Sequence, residues 1–120
     1  KNHANTLVIM KSYATKDSDW RVRSQAIRAL ADYCVDELGI LEVLSQVTTK
    51  DPFEREKRGQ FNPRKTALHI ILTYYLAHPK TIELLRDRAI NDPDEQLREW
   101  AQEQLEKHDA KIKIEASSND

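Results

Sequence analysis

Cysteine is nearly missing from this chain: Cys34 stands alone among 120 residues. That excludes an intrachain disulfide framework and fits a reducing, cytoplasmic setting. Glycine occurs twice and proline four times, too few for the turns of a strand-rich fold, so the composition points to helices. No apolar run approaches the ~18 residues of a membrane span, and no membrane partner is expected. Neither charge dominates: 19 basic residues face 20 acidic ones, a formal net of −1. A dedicated nucleic-acid binder usually carries a clear positive excess. No basic-then-apolar leader opens the sequence, and the start Lys1-Asn2-His3-Ala4 suggests a piece cut from a longer chain.

What is present is helical periodicity, three times over. Leu7, Met10 and Ala14 mark a first helix over about Thr6 to Ala14, and Lys16-Asp17-Ser18-Asp19 breaks it and caps the next. Val22, Ala26, Leu30 and Tyr33-Cys34 give the buried stripe of a second, ending near Leu38-Gly39. Leu41, Val43, Leu44 and Thr48 repeat the first pattern, and Asp51-Pro52 follows as an acidic cap. After an interruption, Asn62-Pro63 starts a helix through Ala67, Ile71 and Tyr74-Tyr75, stopped by His78-Pro79. Ile82, Leu84, Leu85 and Ala89 form the third first helix. Asp92-Pro93 caps a last one, through Leu97, Ala101 and Leu105 to about Lys107.

The spacings fix the register. Leu7 to Asp17, Leu41 to Asp51 and Ile82 to Asp92 each span 10 positions. Leu7 and Leu41 are 34 apart, and the middle copy carries 7 extra residues. A unit that recurs in this way buries its apolar face by stacking on its copies. The expectation is a single all-α domain over residues 1–108, with units at about 4–38, 39–78 and 79–108 and a polar tail over 109–120.

A 34-residue helix pair could be tetratricopeptide, but the first helices lack its Trp-Leu-Gly-Tyr pattern. The run Asp19-x-x-Val22-Arg23-x-x-Ala26-x-x-Ala29-Leu30 resembles HEAT-type repeats instead. That resemblance implies a right-handed α-solenoid of three antiparallel helix pairs, laddered by turn aspartates and early arginines. Asp19 and Arg23 stand four apart, as do Asp94 and Arg98, so each pair shares a helix face. In the middle copy Gln60 and Lys65 occupy this region, and a weaker ladder is expected there. Asp51 to Lys57, Asn62 to Leu68 and Leu85 to Glu99 are further similar to the C-terminal HEAT repeats of bacterial, largely cyanobacterial, NACHT-type NTPases, middle insertion included. The resemblance implies a sensor or docking module with the NTPase upstream and an apolar N-terminal face. This chain has no Gly-rich phosphate loop with Lys-Ser/Thr.

Residues for chemistry are sparse. His3, His69, His78 and His108 are scattered without ligand spacing, and one cysteine cannot complete a zinc site. Cys34 lies on the buried stripe, where a thiol is ordinarily packing. The expectation is therefore a non-enzyme without cofactor or metal. HEAT-like lyases acting on phycobilins share the fold class, which is fold analogy alone.

Two surfaces exceed what folding needs. The insertion holds Arg55, Lys57, Arg58, Arg64 and Lys65 against Glu54 and Glu56, bracketed by Phe53 and Phe61. It reads either as a solvated loop pinned by its aromatics or as a site for an anionic partner, an acidic protein or a nucleic-acid backbone. Phe61 aligns with Trp20 as a staple at a helix start, and Arg21, Arg23 and Arg28 would extend a nucleic-acid surface. Separately, Arg28, His69 and Glu103 share one outward row of the second helices, and Gln25, Thr66 and Trp100 share the next. In solenoids of this kind such rows line a concave binding face for a protein partner or an adjoining domain. Trp100 reads equally as an end cover or as an interface anchor.

Overall fold

Short polar side chains set where the second helix of each unit starts. The computed structural model describes residues 3–34, 36–37 and 39–118, and holds six helices and no strand among them. They are α1 (His3–Lys16), α2 (Trp20–Cys34), α3 (Ile40–Lys50), α4 (Pro63–Tyr74), α5 (Pro79–Asn91) and α6 (Glu95–Ser118). Asp19 Oδ1 accepts from the amide of Arg21 at 2.9 Å, Asn62 Oδ1 from that of Arg64 at 2.9 Å and Asp94 Oδ1 from that of Gln96 at 3.1 Å. Each satisfies an orphan donor of a first turn. His78, expected only as a stop, also caps: its Nδ1 accepts from the Lys80 amide at 3.1 Å, with Pro79 at the first helical position. Gly39 turns the chain into α3 at φ +86°, a left-handed conformation that suits glycine. The expected end of the second helix at Leu38 lies outside the described residues.

Pairing follows the chain: α1 packs on α2, α3 on α4 and α5 on α6, while α2 and α4 lie against each other across units. One apolar cluster joins α1 to α4 through Ile27, Leu30, Ile40, Leu44 and Ile71, all fully buried. A second joins Leu68 of α4 to Leu85, Leu97 and Ala101, and Leu84 touches both. Burying each large aliphatic side chain contributes about 1.5–3 kcal/mol. Some stripe positions differ from expectation. Tyr33 is 72% exposed while its neighbour Cys34 is buried, because only one of two adjacent helical positions can face a given partner. At the N-terminal face Val8, Ile9 and Tyr13 stand 51–66% exposed.

The arginine ladder crosses between units rather than staying within one. Arg23 donates from Nε and Nη2 to both oxygens of Asp51 at 2.8 and 3.0 Å, and Arg64 does the same to Asp92 at 2.9 and 3.0 Å. The third guanidinium nitrogen repeats too. Nη1 of Arg23 donates to the Asp17 carbonyl, that of Arg64 to Asp51 and that of Arg98 to Asp92. Asp17, Asp51 and Asp92 each also accept from the amide two residues on, which closes the same turn three times. The expected pairing of Asp19 with Arg23 is not made: Asp19 bonds Arg21 instead. The middle unit is not weaker either. Its ladder residue is Arg64, one position before Lys65, and it is the most buried of the ladder arginines.

The last helix runs past its expected stop near Lys107 to Ser118, and residues 109–117 are exposed along its length. Its sequence there, with the short Lys111-Ile112-Lys113-Ile114 alternation, has enough helix formers to continue the helix without burying a face.

Candidate partner-binding groove

The seven-residue excess of the middle unit falls within a non-helical segment, residues 51–62, that is folded around two arginines. Arg64 closes its base. Besides Asp92, its guanidinium donates to the carbonyls of Asp51 at 2.7 Å and Phe53 at 3.0 Å, and the residue is 3% exposed. A side chain so enclosed and satisfied cannot belong to a surface patch, so Arg64 leaves the candidate anion-binding set. Arg55 organises the tip. It grips Asp94 by a two-bond fork at 3.0 and 2.9 Å and donates Nη1 to the carbonyls of Lys57, Arg58 and Gln60. Gln60 Oε1 accepts from the amides of Glu56 and Lys57 at 2.7 and 3.0 Å. Asn62 completes the anchorage with a 2.9 Å bond from Nδ2 to Asp94. Burial pushes the Asp94 carboxyl up, but the bonds from Arg55 and Asn62 more than reverse this and hold it below the usual carboxylate value.

The two phenylalanines part company. Phe53 is buried and meets Trp20 edge-on with ring centres 5.9 Å apart, while Phe61 meets the same indole at 6.3 Å yet remains 60% exposed. The aromatic pin is therefore Phe53. Phe61 presents a face to solvent, and Arg28 covers it, with Cζ 5.6 Å from the ring centre.

On that side the loop, α2, α4 and the start of α6 enclose an open groove of about 550 Å³. Arg28, Arg58, Phe61, Lys65, Thr66 and His69 form much of its wall, and Gln60, Gln96, Ile70 and the engaged Arg55 and Asn62 contribute to the rest. No carboxylate lines it. Among the described residues Arg28, Arg58 and Lys65 enter no ion pair, whereas the ladder arginines and Arg55 are all engaged. Lys65 lies 5.4 Å over the Trp100 ring, and His69 stacks on the other part of that wall at 6.0 Å and 17° from the indole plane. Cation–π seating of this kind holds a long side chain in place without neutralising it.

The groove thus unites two residue sets that the sequence keeps apart. Arg28, Thr66 and His69 come from the outward rows, Arg58 and Lys65 from the insertion and the helix after it. Trp100 is half-buried behind Lys65 and His69. Gln25, Glu103 and Lys57 are exposed but do not line the groove. Phe61, Gln60 and Gln96 were not foreseen as wall residues. For Phe61 the available signal was its alignment with Trp20, which suggested a buried staple. A second cavity, of about 750 Å³, shares Arg55, Arg58 and Gln96 with the groove and has an acid-rich lining that includes Glu54, Glu95 and Glu99. Arg21 is exposed and paired with Asp19, and Arg23 is buried in the ladder, so neither extends the basic surface.

Among the described residues no group of His, Cys, Asp and Glu is placed to hold a metal ion, and no helix is long and apolar enough to cross a membrane. Cys34 is buried, and burial, with Glu37 adding to it, raises its thiol above the ordinary value despite Lys11. Comparisons with family models, with curated proteins and with solved structures returned no match.

Proposed function

We propose that this chain is a non-catalytic interaction module, and that its partner is a protein held against the second-helix face over the groove. The observation that carries this reading is the convergence of Arg28, Thr66 and His69 with Arg58 and Lys65 on one wall. Among the described residues the buried charges are matched, whereas these three cations lie at the surface without an ion pair, and the fold does not use them that way. On this reading the architecture is a right-handed stack of three antiparallel helix pairs of HEAT type. The Arg23–Asp51 and Arg64–Asp92 forks, each spanning 28 residues, support it. The resemblance to NACHT-type arrays adds the proposal that the module senses or docks a partner for a larger NTPase.

Site-specific photo-crosslinking tests the surface. A benzophenone side chain at Thr66, in the groove, is expected to yield a defined protein adduct, identified by mass spectrometry. The same group at Glu83, exposed on α5, should not. Equal adducts from both positions would remove the groove from the proposal. A second reading, nucleic-acid binding, is favoured by a cation, Arg28, seated beside the exposed face of Phe61. Its signature is a steep fall of oligonucleotide affinity with salt.

A further inference from the structure

We infer that the groove takes a short acidic stretch of a polypeptide, with two or three Asp or Glu carboxylates set against Arg28, Arg58 and Lys65. This rests on the interaction-module reading and names the chemistry of its ligand. Three observations lead to it. First, every charged side chain of the lining is a cation: beside Arg28, Arg58 and Lys65 stand the amides of Gln60 and Gln96, the Thr66 hydroxyl and the His69 ring, with the Phe61 face and Ile70 as its apolar part. A cationic ligand finds no charge complement there, and a purely apolar one would bury the cations unpaired. Second, Arg28 and Lys65 are already laid against Phe61 and Trp100, so little side-chain freedom remains to be lost when they engage an anion. Third, the positive region is small and bordered by carboxylates. Asp32 is exposed one turn beyond Arg28 on α2, Glu56 is exposed on the loop, and Glu99 and Glu103 are exposed on either side of Trp100 on α6.

The border distinguishes the two macromolecular classes. A nucleic-acid strand carries a charge on every nucleotide and would run from the cations onto those carboxylates, where like charges repel. A polypeptide carries its charge where its sequence puts it, so a brief acidic cluster flanked by neutral residues meets the cations and spares the border. Guanidinium is also suited to planar carboxylate by its paired donors.

Fluorescence anisotropy of a fluorescein-labelled Glu/Asp hexapeptide, added to the full chain at low salt, tests the inference. Saturable binding is expected, weakened about tenfold or more by moderate salt, since exposed charges are screened. The double variant Arg58→Glu, Lys65→Glu should lose at least tenfold in affinity, with unchanged circular dichroism and urea midpoint. Arg86→Glu, exposed on α5 and away from the groove, removes as much positive charge per site and should stay within twofold. Equal loss from Arg86→Glu would reduce the effect to bulk charge and overturn the site. Tighter binding of an oligo-dT probe of similar charge would overturn the ligand class in favour of nucleic acid. No saturable binding at low salt would also overturn it. If the Thr66 crosslink persists in that last case, the interaction surface stands and only its acidic ligand falls. If both fail, both readings fall.

Discussion

Arg23 and Asp51 stand 28 residues apart and close a two-bond fork inside the protein, with both side chains at least nine-tenths buried. Arg64 and Asp92 make the same fork at the same separation, even though the insertion lies within the middle unit. The insertion falls before Arg64 and after Asp51, so it lengthens a turn and leaves every arginine-to-next-aspartate distance alone.

Removing one member of such a pair leaves a buried charge without a partner. Arg64→Ala should therefore cost about 3–5 kcal/mol, read as a drop in the urea midpoint, because Asp92 stays enclosed. Asp92 keeps one bond from Arg88, which places the loss toward the lower part of that range. Arg64→Met with Asp92→Leu should recover only part of it: the buried charge is gone, but the Asp51 and Phe53 carbonyls and the Asp94 amide lose their partners. A single variant no less stable than wild type would contradict the ladder.

Arg55→Ala should loosen the loop and leave the helices. The residue holds three carbonyls and one carboxylate, and hydrogen bonds to charged groups are worth about 1.5–3 kcal/mol. Trypsin should then cut after Lys57 or Arg58 at least about tenfold faster than in the wild type, following the cost of local opening. Helical circular dichroism should hardly change. Unaltered cleavage would mean that Arg55 is not the keystone of the loop.

Acid should release the same loop. Asp94 titrates below the ordinary carboxylate value in the folded state. Its contribution is therefore complete above the unfolded-state pKa, about 3.9, and disappears as pH falls through the lower folded value. Stability should be flat in this respect from pH 7 to about 5 and decline below about 4. Asp94→Asn should be less stable at neutral pH and show a shallower acid decline. An identical acid profile in the variant would assign the decline to other groups, with Asp87 first among them because Asn91 and Arg88 also hold its carboxyl low.

Cys34 should behave as a packed thiol. At 2% exposure and with its pKa raised, it should react with a disulfide reagent at pH 8 roughly a hundredfold or more slowly than in urea, as expected for openings costing about 3 kcal/mol or above. Rapid labelling of the native protein would require a breathing motion between α2 and α3.

The end of α6 should be dispensable. Residues 109–117 are exposed, so ending the chain after His108 should lower the helical signal while shifting stability by no more than ~0.5 kcal/mol. A larger drop would reveal a contact made by this stretch.

Much of the architecture was readable in advance, because apolar periodicity and the spacing of Asp17, Asp51 and Asp92 depend only on local repetition. The six helices and the place of the insertion follow from it. Partners across units were harder to read. Asp19 and Arg23 sit at a spacing that helix geometry makes attractive, yet Asp51 offers Arg23 a buried fork that an exposed neighbour cannot match. Reading the rung at Lys65, one position past Arg64, makes the strongest middle rung look weak. The groove was half legible. Arg28, Thr66 and His69 follow from outward rows, but Arg55 is one cation among three in the loop until its four acceptors are seen together. Composition cannot tell a cation that builds a loop from one that the loop displays. Nor can it mark the end of α6, where no buried face or breaker signals a stop.

The way Arg64 closes the base of the loop also has a consequence for how such a chain can change. With the carbonyls of Asp51 and Phe53 pegged to a side chain that belongs to the stack, what lies between Phe53 and Asn62 hangs from two fixed posts. Provided Arg55 stays on Asp94, the length and wording of the rest can be rewritten without renegotiating the helices. The position is thus a natural cassette: a descendant, or an engineer, that exchanges those residues alters what the groove grips while inheriting the scaffold unaltered.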